Sequence, residues 1–164
     1  MSNPNQTSDV LIMMYVDTVN IKNYVPQTSE NTSNVADCVF LSSNHADPDN
    51  PTQNPTDSTA RTNFTTDLKG NSQISWVGAV QNMSATNLNN DSVFITGITL
   101  KTDNIGIKLR QKQDGSGDTH IDASLKKNHG SDGTETDYTI SFRVWNAGSY
   151  VGDFTVDPKM KMTS

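Results

Sequence analysis

The chain has 164 residues, of which 32% are hydrophobic and only 18% charged, with a formal net charge of −6. Its mean hydropathy is −0.60 and its isoelectric point about 4.8. That length suits one domain and lets a core form without disulfide or metal staples. The acidic balance argues against nucleic acid and anionic membrane surfaces as partners, because both require clustered Lys and Arg.

The polar share is carried by Asn, Thr, Ser and Asp rather than by a high charge density, so the composition is not that of a disordered chain. Short polar side chains compete for backbone hydrogen bonds and favour strands joined by turns over helices. The first residues, Met1-Ser-Asn-Pro-Asn-Gln-Thr-Ser-Asp9, lack the basic and apolar regions of a signal peptide. Residues 1–8 are expected to form a flexible N-terminus ahead of a single β-sandwich domain over 9–164.

Asp9-Val-Leu-Ile-Met-Met-Tyr-Val-Asp17 is a near-continuous apolar run with polar ends, the pattern of a strand covered on both faces. It is too short to span a bilayer. Residues 18–24 fit one turn of helix with Thr18 as N-cap, and residues 37–41 a short strand. That strand holds the only cysteine, Cys38, whose plain reading is a small buried hydrophobe. Residues 44–59 repeat Pro among Asn and Asp, which forbids a regular ladder and predicts an extended surface loop.

From Ile74 onward the period becomes two. Ile74, Trp76 and Val80 alternate along one strand. In the next, Phe94, Ile98 and Leu100 share one face and Val93 and Ile95 the other. Ile105, Ile107 and Leu109, then Ile121, Ala123 and Leu125, then Tyr138, Ile140, Phe142 and Val144 repeat the pattern. Phe154 with Val156 and Met160 with Met162 close it. Turn residues join these runs at Asp103-Asn104, Asp114-Gly115-Ser116-Gly117, Asn128-His129-Gly130, Asp132-Gly133 and Asn146-Ala-Gly148. The pattern predicts a mostly β chain, a two-sheet antiparallel β-sandwich of jelly-roll or Ig-like type with little helix.

Two acidic stretches are candidate sites. Asp114-Gly-Ser-Gly-Asp118-Thr-His-Ile-Asp122 places Asp114, Asp118 and Asp122 like the first half of a calcium loop. It departs from an EF-hand at the sixth position, Thr119, and the twelfth, Leu125, so a hairpin turn competes with a metal site. Ser131-Asp-Gly-Thr-Glu-Thr-Asp137 gathers Asp132, Glu135 and Asp137 in a turn before a core strand. Some sugar-binding β-sandwiches hold calcium in loops of this composition, and a solvated turn is the plain alternative. Trp145 falls on the face opposite Tyr138, Ile140, Phe142 and Val144, where it either stacks on a sugar, meets a partner or packs under the 44–59 loop. The three histidines, His45, His120 and His129, lack the mutual spacing of zinc ligands. No nucleophile elbow, P-loop or dinucleotide fingerprint is present, and no spacing favours a pair of catalytic carboxylates.

Three stretches together resemble the AidA/PixA inclusion-body family of bacterial proteins. They are the opening apolar strand ending at Asp17, followed by Ile21 and Tyr24; Ile74-Ser-Trp76 with Ser92-Val-Phe-Ile-Thr-Gly97; and Tyr138-Thr-Ile-Ser-Phe142 with Gly152-Asp-Phe-Thr-Val-Asp-Pro-Lys159. The Asp-Pro-Lys ending is the most specific of them, although Val156 stands where members often carry Trp. The resemblance implies a divergent member, a small cytoplasmic protein of a host-associated bacterium. Some members form crystalline inclusions and some are under quorum-sensing or stationary-phase control. No catalytic residue carries over.

The expected function is therefore a non-enzymatic inclusion or storage protein that self-associates. The alternative is a lectin-type module that binds carbohydrate, with or without calcium, at Asp132, Glu135, Asp137 and Trp145. No other cofactor is expected, and neither nucleic-acid binding nor membrane insertion.

Overall fold

A computed structural model describes residues 9–23, 35–45, 47, 64–70, 72–81, 90–110, 120–125 and 131–163. The strands are β1 Asp9–Val16, β2 Val39–Ser43, β3 Thr65–Leu68, β4 Gln73–Val80, β5 Ser92–Leu100, β6 Ile107–Arg110, β7 His120–Leu125, β8 Glu135–Asn146, β9 Ser149–Val156 and β10 Lys159–Met162; β4 to β10 are the runs with a period of two, β1 the continuous apolar run, and β3 a strand that the sequence pattern did not predict. Short 3-10 turns at Ile21–Asn23 and Val35–Cys38 are the helical elements among the described residues. No helix there is long and apolar enough to cross a membrane.

The strands form the two sheets of a β-sandwich. One sheet runs in the order β2-β1-β4-β7-β6, the other β3-β10-β8-β5, with β9 beside β8. Most pairings are antiparallel, but β1 with β4 and β3 with β10 are parallel. Alternation reports which face a side chain takes, not strand direction, so parallel pairs were invisible in the pattern.

The inward-facing residues merge into one hydrophobic core that includes Ile12, Met14, Leu41, Ile74, Trp76, Phe142, Phe154 and Met160. Trp76 and Tyr138 meet at its centre across the two sheets. Their rings stand edge to face with centroids 5.8 Å apart, and the Trp76 indole N–H donates to the Tyr138 hydroxyl at 3.2 Å. Burial raises the pKa of Tyr138 far above its ordinary value, so this acceptor stays neutral. Cys38 belongs to the same core, at 3% exposure.

Three local expectations change. Asp17, not Thr18, caps the first 3-10 turn, because its carboxylate accepts from the amides of Val19 and Asn20. The short strand starts at Val39, since residues 35–38 form a 3-10 turn. In β5 a bulge between Ile95 and Gly97 reverses the alternation. Val93, Ile95 and Ile98 therefore all face inward, while Phe94 and Leu100 are only half-buried.

Pro158, without an N–H, separates β9 from β10 along one edge of β8. Asp157 anchors this joint by accepting from the Thr139 hydroxyl at 2.6 Å and pairing with Lys101 at 3.3 Å. The Pro158 carbonyl continues the ladder by accepting from the Tyr138 amide. The Asp157-Pro158-Lys159 motif is thus a structural hinge between two strands.

Candidate functional site

The 12-residue strand β8 carries Glu135 and Asp137 near one end and Trp145 near the other. Asp132 lies exposed in the turn before β8, where Gly133 adopts a positive φ of 82° and its amide donates to the Met162 carbonyl. Glu135 and Asp137 alternate with buried Thr136 and Tyr138, so both face outward. Their registered neighbours on β10 are Lys161 and Lys159. Lys161 in turn reaches buried Asp47 at 3.7 Å. The acidic stretch therefore sits in a ladder of alternating charge across the sheet.

Of the calcium-loop residues, Asp114 and Asp118 lie outside the described residues. Asp122 stands on β7, where one oxygen accepts from the Ser75 hydroxyl at 2.6 Å. Its other oxygen is 3.9 Å from His120 Nε2. Among the described residues no three His, Cys, Asp or Glu side chains are grouped to hold a metal ion. Most of the 44–59 loop and His129 also fall outside them.

Trp145 occupies the far end of β8. Eight residues separate it from Asp137, which puts them roughly 26 Å apart at ~3.3 Å per residue. The structure does not bring Trp145 and the acidic turn into one site. Trp145 instead pairs across the β8–β9 hairpin with Tyr150, at 5.6 Å between centroids and an interplanar angle of 62°. Tyr150 is 53% exposed. Arg143 lies 5.8 Å from the Tyr150 ring centroid. Its guanidinium forks onto Asp153, with Nε at 2.7 Å from one oxygen and a terminal nitrogen at 3.2 Å from the other. The hydrogen bond to Asp153 raises the Arg143 pKa further above its ordinary value. Three guanidinium N–H groups remain beyond that fork. The result is an aromatic corner with a charged, hydrogen-bonding floor.

The hairpin is held from below by Asp91. Its carboxylate accepts from the Thr18 hydroxyl at 2.6 Å, the Asn146 side-chain amide at 3.1 Å and the Ala147 backbone amide at 2.7 Å. Burial pushes the Asp91 pKa up. The donors Ala147, Thr18 and Asn146, with the charge of Lys22, outweigh it and hold the carboxyl below its ordinary value. Sequence reasoning named Trp145 but missed Tyr150, Arg143 and Asp153. A two-residue turn at Ala147-Gly148 implies the Trp145–Tyr150 pair, but a register shift between Val144 and Trp145 then sets Arg143 opposite Asp153 rather than Gly152.

By sequence, the chain matches no family model and no curated protein. By structure it superposes on the crystal structure of an inclusion body protein, PixA, from Burkholderia cenocepacia. The TM-score is 0.61 with 13% sequence identity, covering 99% of this chain and 100% of that one. The chain has the PixA fold. The match agrees with the resemblance carried by the Asp17, Trp76 and Asp157-Pro158-Lys159 segments, and the low identity marks the chain as divergent within that likeness.

Proposed function

We propose that this chain is a divergent inclusion-body protein: a non-enzymatic β-sandwich that self-associates and accumulates as ordered particles inside a host-associated bacterium. The full-length match to the PixA inclusion body protein carries this reading. A sandwich of fixed shape with low charge density suits ordered packing, because like-charge repulsion between copies is weak. Expression in a bacterial host followed by electron microscopy of the cells tests it, with sedimentation of the purified protein alongside. Ordered particles and concentration-dependent association support the reading. A protein that stays dispersed and monomeric at every concentration refutes it.

A second reading is carbohydrate binding at the Trp145–Tyr150 corner, favoured by the 53% exposure of Tyr150 beside a tilted indole. Sugar C–H faces stack on such rings, and Arg143 with Asp153 offers hydrogen-bonding groups at their foot. Calcium at Asp132, Glu135 and Asp137, or at Asp114, Asp118 and Asp122, would act apart from this corner. A glycan array with calcium and with chelator, repeated on Trp145→Ala, decides it. Selective binding lost in the variant supports the corner, and a blank array under both conditions ends this reading.

A further inference from the structure

The outer face of β5, β8 and β9 is laid out in cross-strand rows. Trp145 and Tyr150 form the first, and Phe94, Arg143 and Asp153 the second. The bulge in β5 then sets Gly97, rather than Thr96, opposite Ser141, with Thr155 on the other side. Thr99 and Thr139 follow, beside the Lys101–Asp157 pair. None of these residues is buried, and the side chains of Asp153 and Lys101 are 47% and 49% exposed. Water therefore reaches this face from the hairpin to its far end. Its character changes along β8: aromatic rings at the hairpin, the Arg143–Asp153 fork beside them, then a floor of glycine and hydroxyls. Short side chains project less than rings, so the floor lies below the aromatic end as a shallow trough.

We propose that this trough binds an uncharged, linear polysaccharide lying along β8, with one sugar ring at the Trp145–Tyr150 corner and others over the hydroxyl floor. The proposal rests on the carbohydrate reading of that corner and names its ligand class. Charge complementarity supports it. The chain carries a net −6, yet here Arg143 is matched by Asp153 and Lys101 by Asp157. A charged ligand must compete with those pairs. A neutral, hydroxyl-rich one uses them as they stand, because the carboxylates keep free lone pairs and Arg143 keeps free N–H groups. Dimensions agree. Six residues separate Trp145 from Thr139, roughly 20 Å at ~3.3 Å per residue, which is long for one sugar ring and suits a chain of several. Three strands at ~4.8 Å spacing make the strip about 10 Å across, the width of a single chain. A protein partner would look for an apolar centre inside a polar rim. Here the rings of Phe94, Trp145 and Tyr150 gather at one end instead.

The test is titration calorimetry of the full chain with neutral β-linked gluco-, xylo- and manno-oligosaccharides, from disaccharide to hexasaccharide, and with anionic polygalacturonate. Trp145→Ala removes the corner, and Ser141→Leu fills the middle of the floor without adding charge. Expected is an affinity that rises about tenfold or more from disaccharide to hexasaccharide in one neutral series. Ser141→Leu should flatten that rise while disaccharide binding persists, and Trp145→Ala should lose every length. If disaccharide and hexasaccharide bind the parent equally, the corner acts alone: the trough is wrong and the carbohydrate reading stands. Binding confined to polygalacturonate, and lost with added salt, overturns the neutral class. A parent that binds no saccharide of either kind removes both the proposal and the reading beneath it. Should circular dichroism show Ser141→Leu misfolded, the length dependence of the parent decides alone.

Discussion

Removing the Asp91 carboxylate should cost the fold about 2–4 kcal/mol. Asp91 joins three parts of the chain: the turn after β1 through Thr18, the entry to β5, and the β8–β9 turn through Asn146 and Ala147. Thr18 has 0% exposure, so Asp91→Ala leaves its hydroxyl without this acceptor at a cost of about 1–3 kcal/mol. The Ala147 amide is exposed and turns to water, and the half-buried Asn146 adds about 1 kcal/mol. Asp91→Asn keeps an acceptor oxygen but loses the charge, and should cost about 1–2 kcal/mol. The pH dependence provides a separate check. The folded-state pKa of Asp91 is depressed, so its stabilisation is complete above the unfolded carboxylate value of about 3.9 and is lost as pH falls through the lower folded value. Urea unfolding at pH 7 and at about pH 2.5 measures both effects as shifts in midpoint at constant slope. The parent-to-Asn gap should shrink at the lower pH. An Asp91→Ala cost below about 0.5 kcal/mol at pH 7, or a gap that does not change with pH, would refute the reasoning.

Three further outcomes are expected. Tyr138→Phe should destabilise by about 1–3 kcal/mol, because it strands the Trp76 indole N–H in the core, and a double-mutant cycle with Trp76→Phe should show strong non-additivity by the same urea assay. Gly78→Ala should lower the melting temperature by about 3–6 °C, since its Cβ would lie 3.2 Å from Val93 Cγ1 and 3.3 Å from the Val93 backbone oxygen, where β5 approaches β4. Ala147→Asn should raise stability by about 0.5–1 kcal/mol in a thermal melt, because Ala147 holds φ at 49° in a turn that favours Asn.

The strands from Ile74 onward were legible because each alternates apolar and polar residues over one buried face. Where a bulge intervenes, legibility stopped: the extra residue in β5 moved Ile98 to the side of Val93 and Ile95, and no residue type announces a bulge. Strand order was not legible either. β4 pairs with β1 across more than fifty intervening residues, and long-range pairing leaves no local signature. Of the candidate site, the outward placement of Trp145 could be read from its parity, because parity survives within one strand. Arg143, two residues earlier, shares that parity, but its pairing with Asp153 depends on the register of two strands, which the hairpin's own bulge shifts. The separation of Glu135 and Asp137 from Trp145 along β8 follows from strand rise alone. A 12-residue strand is long enough that its ends cannot share a small ligand.

The apolar run in β1 holds a further lesson. Its sequence reads as a strand covered on both faces, and the structure covers the inward set, Val10, Ile12, Met14 and Val16, within the core. The outward set, Leu11, Met13 and Tyr15, remains partly exposed, beside apolar Phe40, Val77 and Ala79 on its neighbours. The composition of β1 thus demands a cover that the described residues leave incomplete at Leu11, which is 40% exposed. The second sheet, with its charged ladder and the Arg143–Asp153 fork, makes no such demand. The two faces of this sandwich should accordingly behave differently in solution: association should strengthen with added salt where apolar contact dominates, and weaken where the charged face carries it.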